Sequence, residues 1–430
     1  MQNRKTLRPG LKLALGFMLL IAIGTLLLYL PVSHQDGVDV SLIDALFIST
    51  SAICVTGLTP LDISKTLSLF GSTVLMFLIQ FGGLGYAVVA VIIIRLASGR
   101  IDASTGNLLR DSLGADHKIG TKRLLAVALA VTATMEAIGA ILLFIPFSAK
   151  YPIGRALYLS IFHSVSAFNN AGFDLFSDSM MKWNDNPLVL ITIASLIAFG
   201  GLGFILYNDL ADYLTKHKKI SVHTKIVLST TLFLIAAGTV LFRIILPDID
   251  WKNAFFQSVT TRTAGYFSYD QSILPPAGVV LTIILMFIGA SPGSTGGGVK
   301  TTSFFTAVKA SFSLLLGRNP TAFKREISGE SVMKAFFVII ISVLLVAAAT
   351  TLISITDPEF TSDKILYEVV SAYATVGLTM GITPSISTPG KLILIIMMFL
   401  GRVGFMTIIT SFARRRQTGA RYIEEKVIIG

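Results

Sequence analysis

The sequence predicts an all-α polytopic membrane protein, with eight transmembrane helices as four parallel helix–pore loop–helix repeats around one central pore. Three observations lead to this prediction: an apolar composition, eight long apolar stretches, and a pair of glycine motifs that occurs four times. Of the 430 residues, 53% are hydrophobic and only 14% are charged, whereas an average soluble domain has about 25% charged residues. This composition excludes a soluble enzyme, a disordered scaffold and a nucleic-acid-binding protein, although the formal net charge is +11.

The apolar stretches are the candidate transmembrane helices. A hydrocarbon core of about 30 Å requires about 20 helical residues, and most stretches reach that length. The sixth is short, ends in the glycine-rich segment 289–298 and resumes at 299–316, which predicts a broken inner helix. The first follows basic residues as a signal peptide would, but its core is too long and no cleavage site follows, so an anchor is expected. The stretches are 11–30, 69–94, 124–147, 187–207, 226–246, 277–290, 335–355 and 391–412.

Basic residues are distributed unequally between the two sides of the predicted membrane. Most of the 35 Lys and Arg residues lie in the N-terminal arm, in the loops 95–123, 208–225 and 308–334, and in the tail after residue 412. The positive-inside rule therefore predicts a multi-pass protein of the plasma membrane with both termini cytoplasmic. The opposite loops are rich in aspartate, and an acidic outer mouth would concentrate cations.

Four short segments, each too brief to cross the membrane, lie between alternate stretches on the predicted outer side. Each follows an amphipathic run of helical length and continues through small or hydroxyl residues to a glycine and a large apolar residue. We expect each to form a re-entrant pore helix and a loop. The loops are Val55-Thr56-Gly57-Leu58, Asn170-Ala171-Gly172-Phe173, Thr263-Ala264-Gly265-Tyr266 and Thr375-Val376-Gly377-Leu378.

A second glycine motif follows each loop within the next apolar stretch. It begins at Gly82, Gly200, Gly289 and Gly401. One such motif would be weak evidence, because membrane helices use glycine freely for close packing, but two motifs in register four times indicate a repeated unit. The predicted divisions are repeat 1 in 1–98, a cytoplasmic loop with repeat 2 in 99–214, repeat 3 in 215–318, repeat 4 in 319–412 and a cytoplasmic tail in 413–430.

The loops predict a path for ions. Non-helical backbone at membrane depth is tolerated only inside protein or against a water-filled path. Four parallel loops around one axis would direct carbonyl oxygens at that axis, where they can replace the hydration shell of a cation. Glycine reaches positive φ at little cost, so carbonyls on both sides of it can face the pore. All 16 loop residues are therefore the predicted ion-binding selectivity filter.

With these motifs, the chain resembles the Trk/Ktr/HKT superfamily of potassium transporters over residues 11–412, and most closely its bacterial Ktr membrane subunits. The resemblance implies potassium uptake through a gated pore, with K⁺ at the filter residues, and leaves open whether Na⁺ is a second transported ion. It also implies a homodimer with one pore per subunit and a cytosolic ring of regulatory subunits. Any nucleotide (ATP or ADP) is expected on that partner only, and no covalent cofactor is expected. Four filter glycines are similar to those of the potassium-selective members.

The interrupted third repeat predicts a gate. Ten small residues at membrane depth next to a filter could plug a pore and move aside, whereas the alternative is a kink in an inner helix. Arg402, a charge inside a span, is expected to face the axis and either oppose passing ions or hold the loop's carbonyls, rather than pair with Glu136. Arg262 is expected to turn away from the axis and brace its loop. The gate residues are Gly289, Ala290, Ser291, Pro292, Gly293, Ser294, Thr295, Gly296, Gly297, Gly298, Lys300 and Arg402.

Two other classes of function compete with a gated pore. An alternating-access or sodium-coupled cation transporter would hold its substrate between broken helices, but such folds usually contain inverted repeats rather than four parallel units. A membrane enzyme would need clustered His, Asp, Glu or Cys residues at membrane depth, and we predict none. His163, on the second pore helix, is expected to be a packed neutral histidine rather than a proton relay.

Overall fold

The computed structural model describes residues 9–85, Val88, Val91 and 120–404, in which α-helix dominates. Short 3₁₀ turns lie in four of the connections. The helices are α1 (Pro9–Tyr29), α2 (Leu42–Ile53), α3 (Ile63–Thr66), α4 (Leu69–Leu84), α5 (Thr121–Ser148), α6 (Ile153–Phe168), α7 (Pro187–Gly200), α8 (Phe204–Lys216), α9 (Val222–Ile245), α10 (Trp251–Thr260), α11 (Pro276–Phe287), α12 (Thr301–Leu315), α13 (Gly329–Thr356), α14 (Ser362–Ala374) and α15 (Thr388–Val403).

Four described helices, α1, α5, α9 and α13, are each long and apolar enough to cross a membrane. The pair α7 and α8 would make a fifth span, bent by 88° at its break. Helices α4 and α11 are apolar but shorter. The described chain is therefore a mainly helical membrane protein, and each of the four long helices lies near the start of one of the predicted units.

In each predicted unit, the helix that follows the glycine loop ends at or next to the second glycine motif. We expected a break only in the third unit, and this is wrong for the second, where α7 ends at Gly200 and α8 begins at Phe204. Gly203, between them, has a φ of 87°. Helices α4 and α15 end directly before Gly85 and Gly404, whose φ values are 84° and 83°. Because a left-handed glycine after the last helical turn terminates a helix, the motif is a stop signal as well as a packing surface.

The four predicted amphipathic runs form the short helices α2, α6, α10 and α14. Polar caps start two of them: Ser41 Oγ accepts from the Asp44 N–H, and the Asp250 carboxylate accepts from the Asn253 N–H. Such caps satisfy donors that the first helical turn leaves unpaired. Nearly all side chains in the last two turns of each helix are buried, so these helices point into the protein.

Serine–glycine contacts fix three of the short helices against the long helix before them. Ser49 Oγ donates to the carbonyl of Ile21 over 2.8 Å, and a Cβ on Gly24 would overlap this hydroxyl. Glycine is therefore required for the close approach. The same pair recurs as Ser164 with the Glu136 carbonyl and Gly139, and as Ser258 with the Ile235 carbonyl and Gly238.

One small β-hairpin departs from the all-α prediction. Residues 321–322 pair with 325–326, and Phe323 and Lys324 between them both have positive φ, as a two-residue hairpin turn requires. The hairpin lies in the predicted cytoplasmic loop 308–334. The predicted loop 95–123 lies mostly, and the tail 413–430 entirely, outside the described residues.

Candidate functional site

The four predicted loops, called here the glycine loops (55–58, 170–173, 263–266 and 375–378), share one backbone conformation. In each, two residues of positive φ flank a single residue, and the second of them is the glycine. A non-glycine residue in the left-handed region costs roughly 1–2 kcal/mol, and such strain persists only where the surroundings impose it. The pairs are Val55 (51°) with Gly57 (94°), Asn170 (57°) with Gly172 (69°), Thr263 (72°) with Gly265 (81°) and Thr375 (52°) with Gly377 (96°).

The glycine loops lie in a closed ring that follows the order of the chain. A Cβ on Gly57 would overlap the carbonyl oxygen of Ala171 in the second loop and lie 3.2 Å from Gly172 Cα. The same contact leads from Gly172 to the third loop and from Gly265 to the fourth. The ring is closed by the fourth loop, because a Cβ on Gly377 would overlap the carbonyl oxygen of Thr56 in the first loop. No side chain fits at these four positions, so each glycine is required by space as well as by φ.

Hydroxyl groups at the ends of the short helices hold the glycine loops from behind. Ser51 Oγ accepts from the Gly57 N–H and Ser371 Oγ from the Gly377 N–H, both over 3.0 Å. Ser166 donates to the carbonyl of Phe173 over 2.8 Å. Among the described residues, no donor reaches the carbonyl oxygens that point at the neighbouring glycine, those of Thr56, Ala171, Ala264 and Val376. The ring thus presents carbonyl oxygens without a described donor where neighbouring loops meet.

The predicted gate segment 289–298, called here the gate loop, folds back on itself against this ring. The Gly289 N–H donates to the carbonyl of Val299 over 2.8 Å, which closes the loop at its base. A Cβ on Gly296 would overlap Thr263 Oγ1, and a Cβ on Gly297 would overlap Thr375 Oγ1. Thr295 Oγ1 also lies 3.0 Å from the side-chain amide of Asn170, so the structure brings the gate loop into direct contact with three of the glycine loops.

Three buried or partly buried cations bind carbonyl oxygens of the gate loop. Arg402 donates from Nη1 to Thr295 and from Nη2 to Gly82 and Gly83 in the first unit. Lys300 Nζ donates to the Gly296 carbonyl over 2.7 Å, and Arg262 Nη2 lies 3.5 Å from the Gly289 carbonyl. Hydrogen bonds from charged donors are stronger than neutral ones, so this clamp fixes a segment that has almost no side chains of its own.

The break in the second unit also holds the gate loop, a role that the sequence did not lead us to expect. The Phe204 N–H donates to the Gly293 carbonyl over 2.9 Å, and the Ser291 N–H donates to the Gly201 carbonyl over 3.1 Å. A Cβ on Gly203 would overlap the carbonyl of Pro292. The signal was present in the sequence, since Gly200, Gly201 and Gly203 form a glycine cluster too dense for helix packing alone.

Glu136, whose partner the sequence left open, belongs to a separate polar cluster. Asn169 Nδ2 donates to Glu136 Oε1 over 2.9 Å and to Gln80 Oε1 over 3.1 Å. This cluster joins α4, α5 and the end of α6, whereas Arg402 binds carbonyl groups. Asn169 directly precedes the second glycine loop, but an amide bridging two helices leaves no periodic pattern in the sequence.

Carboxylates lie close to the segment that leaves the second glycine loop. The Asp174 carboxylate accepts from the Phe176 N–H over 2.8 Å. Burial, assisted by the negative charges of Asp62 and Asp178, raises the pKa of Asp174 to about 6. Partial burial opposes ionisation of Asp62, but hydrogen bonds from Ser64 and Ser177 and the nearby Lys65 outweigh it and hold the pKa of Asp62 below its usual range. The loops beyond the ring thus carry acidic groups, one of which titrates close to neutral pH.

Comparison with known proteins agrees with this architecture. The family model for TrkH, described as a cation transport protein, matches residues 11–420. The potassium/sodium uptake protein NtpJ of Enterococcus hirae is 37% identical over 99% of this chain and 98% of its own length. The Ktr system potassium uptake protein B of Bacillus subtilis is 37% identical over 98% of this chain and 97% of its own.

A solved structure shares the fold. The crystal structure of the potassium transporter TrkH from Vibrio parahaemolyticus superposes with a TM-score of 0.76, at 20% identity, over 96% of this chain and 86% of that one. At this identity the similarity shows the fold alone. Together with the match of the family model, which covers nearly the whole sequence, it leads to one conclusion: the chain belongs to the TrkH/Ktr family of cation transport proteins.

Proposed function

We propose that this protein takes up potassium ions through one central, gated pore, driven by the membrane potential. The observation that carries the proposal is the closed ring of four glycine loops with carbonyl oxygens that no described donor reaches. An unpaired buried carbonyl is costly, and a dehydrated cation at the centre of the ring would satisfy several of them at once. The names of the relatives, which are potassium or potassium/sodium uptake proteins, support the same ion class.

In this proposal the 16 glycine-loop residues form the selectivity filter. The intervening residue of each loop supplies the carbonyl oxygen that points across the neighbouring glycine. Carbonyl dipoles replace water molecules around the ion, and the number and rigidity of the ligands decide which ion is favoured. The hydroxyl groups of Ser51, Ser166 and Ser371 behind the loops supply rigidity, so that a smaller, more strongly hydrated ion is less well compensated.

The gate loop, with Lys300 and Arg402, closes the pore next to this filter. The loop contacts three glycine loops, and the positive charges that clamp it lie on the route that a cation would take on leaving the filter. Opening requires these hydrogen bonds to be exchanged for others. A segment rich in glycine can change its backbone conformation at low cost, which suits a moving part.

The topology follows from the same proposal. The four units, with the boundaries 1–98, 99–214, 215–318 and 319–412, each contribute two spans, making eight. The short helices α2, α6, α10 and α14 then enter from the outer side and stop at the filter. Both termini lie in the cytoplasm of a plasma-membrane protein, in line with the distribution of Lys and Arg.

The proposed assembly contains more than one chain. The resemblance to Ktr membrane subunits implies a homodimer with one pore in each subunit, together with a cytosolic ring that binds a nucleotide and releases the gate loop. The word "system" in the names of the Ktr relatives favours such a partner. No enzymatic step and no covalent cofactor are required of this chain.

A sodium-coupled transporter is the second candidate, favoured by the name of NtpJ as a potassium/sodium uptake protein. Potassium and sodium flux into proteoliposomes distinguishes the two. With an imposed negative interior potential, the proposal predicts potassium uptake that needs no sodium gradient and exceeds sodium uptake at equal concentration. Potassium uptake that depends on the direction of a sodium gradient would favour the second candidate, and no flux of either ion would refute both.

A further inference from the structure

The residue one position before the docking serine in each short helix occupies an equivalent place in the four units. The docking serines Ser49, Ser164 and Ser258 define this place in the first three units. In the fourth it is nine residues before the filter glycine, as it is in the first and second. We call it the bracket position, and it is occupied by Ile48, His163, Gln257 and Glu368. All four side chains are almost completely buried.

His163 joins the second short helix to the segment that leaves its glycine loop. Nδ1 lies 2.7 Å from the Leu159 carbonyl, which can only accept, so Nδ1 carries the hydrogen. Nε2 is then an acceptor, and the Leu175 N–H donates to it over 3.3 Å. The ring stacks on Phe176 with centroids 4.4 Å apart. The expected packed neutral histidine thus has a definite tautomer and a definite backbone partner.

Glu368 makes the corresponding connection in the fourth unit. Its Oε1 accepts from the Met380 N–H over 3.2 Å and from the Thr379 hydroxyl, and its Oε2 accepts from the Thr383 hydroxyl over 3.0 Å. Met380 and Leu175 both lie three residues after their filter glycine. In these two units, chemically different side chains therefore accept from the backbone N–H at the equivalent position.

The other two units vary the same theme. Gln257 Nε2 donates to Gln271 Oε1 over 2.7 Å, and Gln271 is again in the segment after the glycine loop. In the first unit the bracket residue is Ile48, and the residue three positions after Gly57 is Pro60. Proline has no N–H to donate, so an acceptor in the short helix would have no partner there. A polar bracket is present in the three units whose exit segment offers it a partner.

We propose that His163, Gln257 and Glu368 are positioning residues of the selectivity filter, which fix the exit segment of three glycine loops to the short helices. This inference rests on the proposed function and adds to it which buried side chains set ion discrimination. Each bracket restrains the backbone within a few residues of an ion-binding carbonyl. Loss of His163 or Glu368 leaves the N–H of Leu175 or Met380 unpaired, and loss of Gln257 leaves the side-chain amide of Gln271 without its partner, so the exit segment shifts to find another. The ligand cage then loosens, and discrimination against the smaller ion falls.

The test measures potassium and sodium flux into proteoliposomes for three full-length variants. His163→Ile copies the first unit and removes the acceptor, and we expect it to lower the potassium-to-sodium flux ratio about fivefold, the size of one lost hydrogen bond. His163→Gln copies the third unit, can accept from the Leu175 N–H, and should restore the ratio to within about twofold of the original. Ile48→Val is the matched control at the unbracketed position and should leave the ratio unchanged.

The outcomes separate this inference from the function on which it rests. If the unmodified protein shows no preference for potassium, the proposed filter fails. If it shows the preference and His163→Ile retains it in full, the bracket is overturned. Equal losses in His163→Ile and Ile48→Val would indicate packing alone and would also overturn it. Should His163→Ile not accumulate in the membrane, Glu368→Met against Glu368→Gln repeats the comparison in the fourth unit, with the same loss expected of Glu368→Met only.

Discussion

The glycine loops and the second glycine motifs are both fourfold repeats, but they differ in how closely their copies agree. The glycine loops repeat the same pair of positive φ values four times and contact one another in a closed ring. At the second motif, the first and fourth units end a helix directly before a left-handed glycine, the second breaks between Gly200 and Phe204, and the third inserts the gate loop 289–298. The glycine loops, the first level, thus form a symmetric ring. The second glycine motifs, the second level, have one exceptional member, the third.

Under the proposed function, the difference corresponds to separate roles: the glycine loops discriminate between ions, and the second glycine motifs provide the gate. A site that surrounds one ion gains from equal ligands on all sides, so departures from the shared conformation are costly there. A movable plug needs only one segment, and the other three units supply fixed surfaces against which it rests. The gate loop forms backbone hydrogen bonds with Gly201 and Phe204 of the second unit. The carbonyl of Gly82 in the first unit accepts from Arg402, which is part of the clamp. If this is correct, changes at one level should leave the property of the other intact.

Removal of residues 293–298 is expected to have the largest effect. It deletes the carbonyl partners of Arg402, Lys300 and Phe204, so the closed state loses several hydrogen bonds at once. Because these are together worth a few kcal/mol, basal potassium flux without a regulatory partner should rise about 100-fold. The potassium-to-sodium ratio should stay within about twofold, since the glycine loops are unchanged. Ser294→Ala, which removes one short-range hydroxyl contact, serves as the control.

Arg402→Ala should also raise basal potassium flux, by a smaller factor than the deletion. It removes the donors to Thr295, Gly82 and Gly83 but leaves Lys300 and the second-unit contacts in place. We expect basal flux to rise about 30-fold, measured in proteoliposomes without partner. Arg402→Lys retains the charge but lacks the forked guanidinium group that reaches two units. Its basal flux should therefore lie between that of the unmodified protein and that of Arg402→Ala. Flux below that of the unmodified protein would contradict a latch and indicate a structural arginine.

Gly57→Ser tests the symmetric level. Its Cβ would overlap the Ala171 carbonyl and would disfavour the φ of 94°, so the potassium-to-sodium ratio should fall about tenfold. Gly37 is a suitable control, because its φ of 77° is also positive while a Cβ at that position would have no neighbouring atom within 4 Å. Gly37→Ser should keep the ratio, and an equal loss in both variants would point to backbone strain rather than to the ring.

Lys300→Met should be milder than either gate change. Lys300 donates one hydrogen bond to the Gly296 carbonyl, and methionine preserves most of the side-chain volume. A rise in basal flux of about fivefold is expected from the loss of one hydrogen bond in a partly buried position. A rise equal to that of the 293–298 deletion would mean that this lysine, and not the combined clamp, holds the gate.

The smallest predicted effect concerns pH at the outer mouth. Because the pKa of Asp174 is raised to about 6, its carboxylate is charged at neutral pH and becomes protonated as the external pH falls through that value. The attraction of cations to the mouth weakens accordingly, so uptake at low potassium should fall about twofold between pH 7.5 and pH 5. Asp174→Asn should show the lower uptake at both pH values. A pH response that persists in Asp174→Asn would assign it to another group.

The sequence predicted those parts of the fold that leave a repeated or compositional pattern. Apolar stretches and the two glycine motifs were sufficient to locate the four long helices, the four short helices and the loops between them. The helix break between Gly200 and Phe204 was missed, because glycine in an apolar stretch is compatible both with close packing and with a break. Gly203, within this break, lies against the carbonyl of Pro292, almost ninety positions further along the chain.

Side-chain partners at the site were predictable only where charge made them conspicuous. Arg402 was expected near the gate loop because a charge within an apolar stretch must find acceptors. Glu368 was overlooked, although it is buried at 0% exposure, because a carboxylate in a short amphipathic run is usually on the polar face. Its donors in 379–383 come from a segment whose path is set by the ring, and no periodicity encodes that path.

The most direct test of the two separate levels is one paired measurement of potassium and sodium flux on the 293–298 deletion, Gly57→Ser and their combination. We predict that the deletion raises the flux and keeps the ratio, that Gly57→Ser lowers the ratio and keeps the basal flux low, and that the combination shows both changes independently. A deletion that abolishes the potassium preference, or a Gly57→Ser protein that opens without its partner, would contradict the division between a symmetric filter and a single gate.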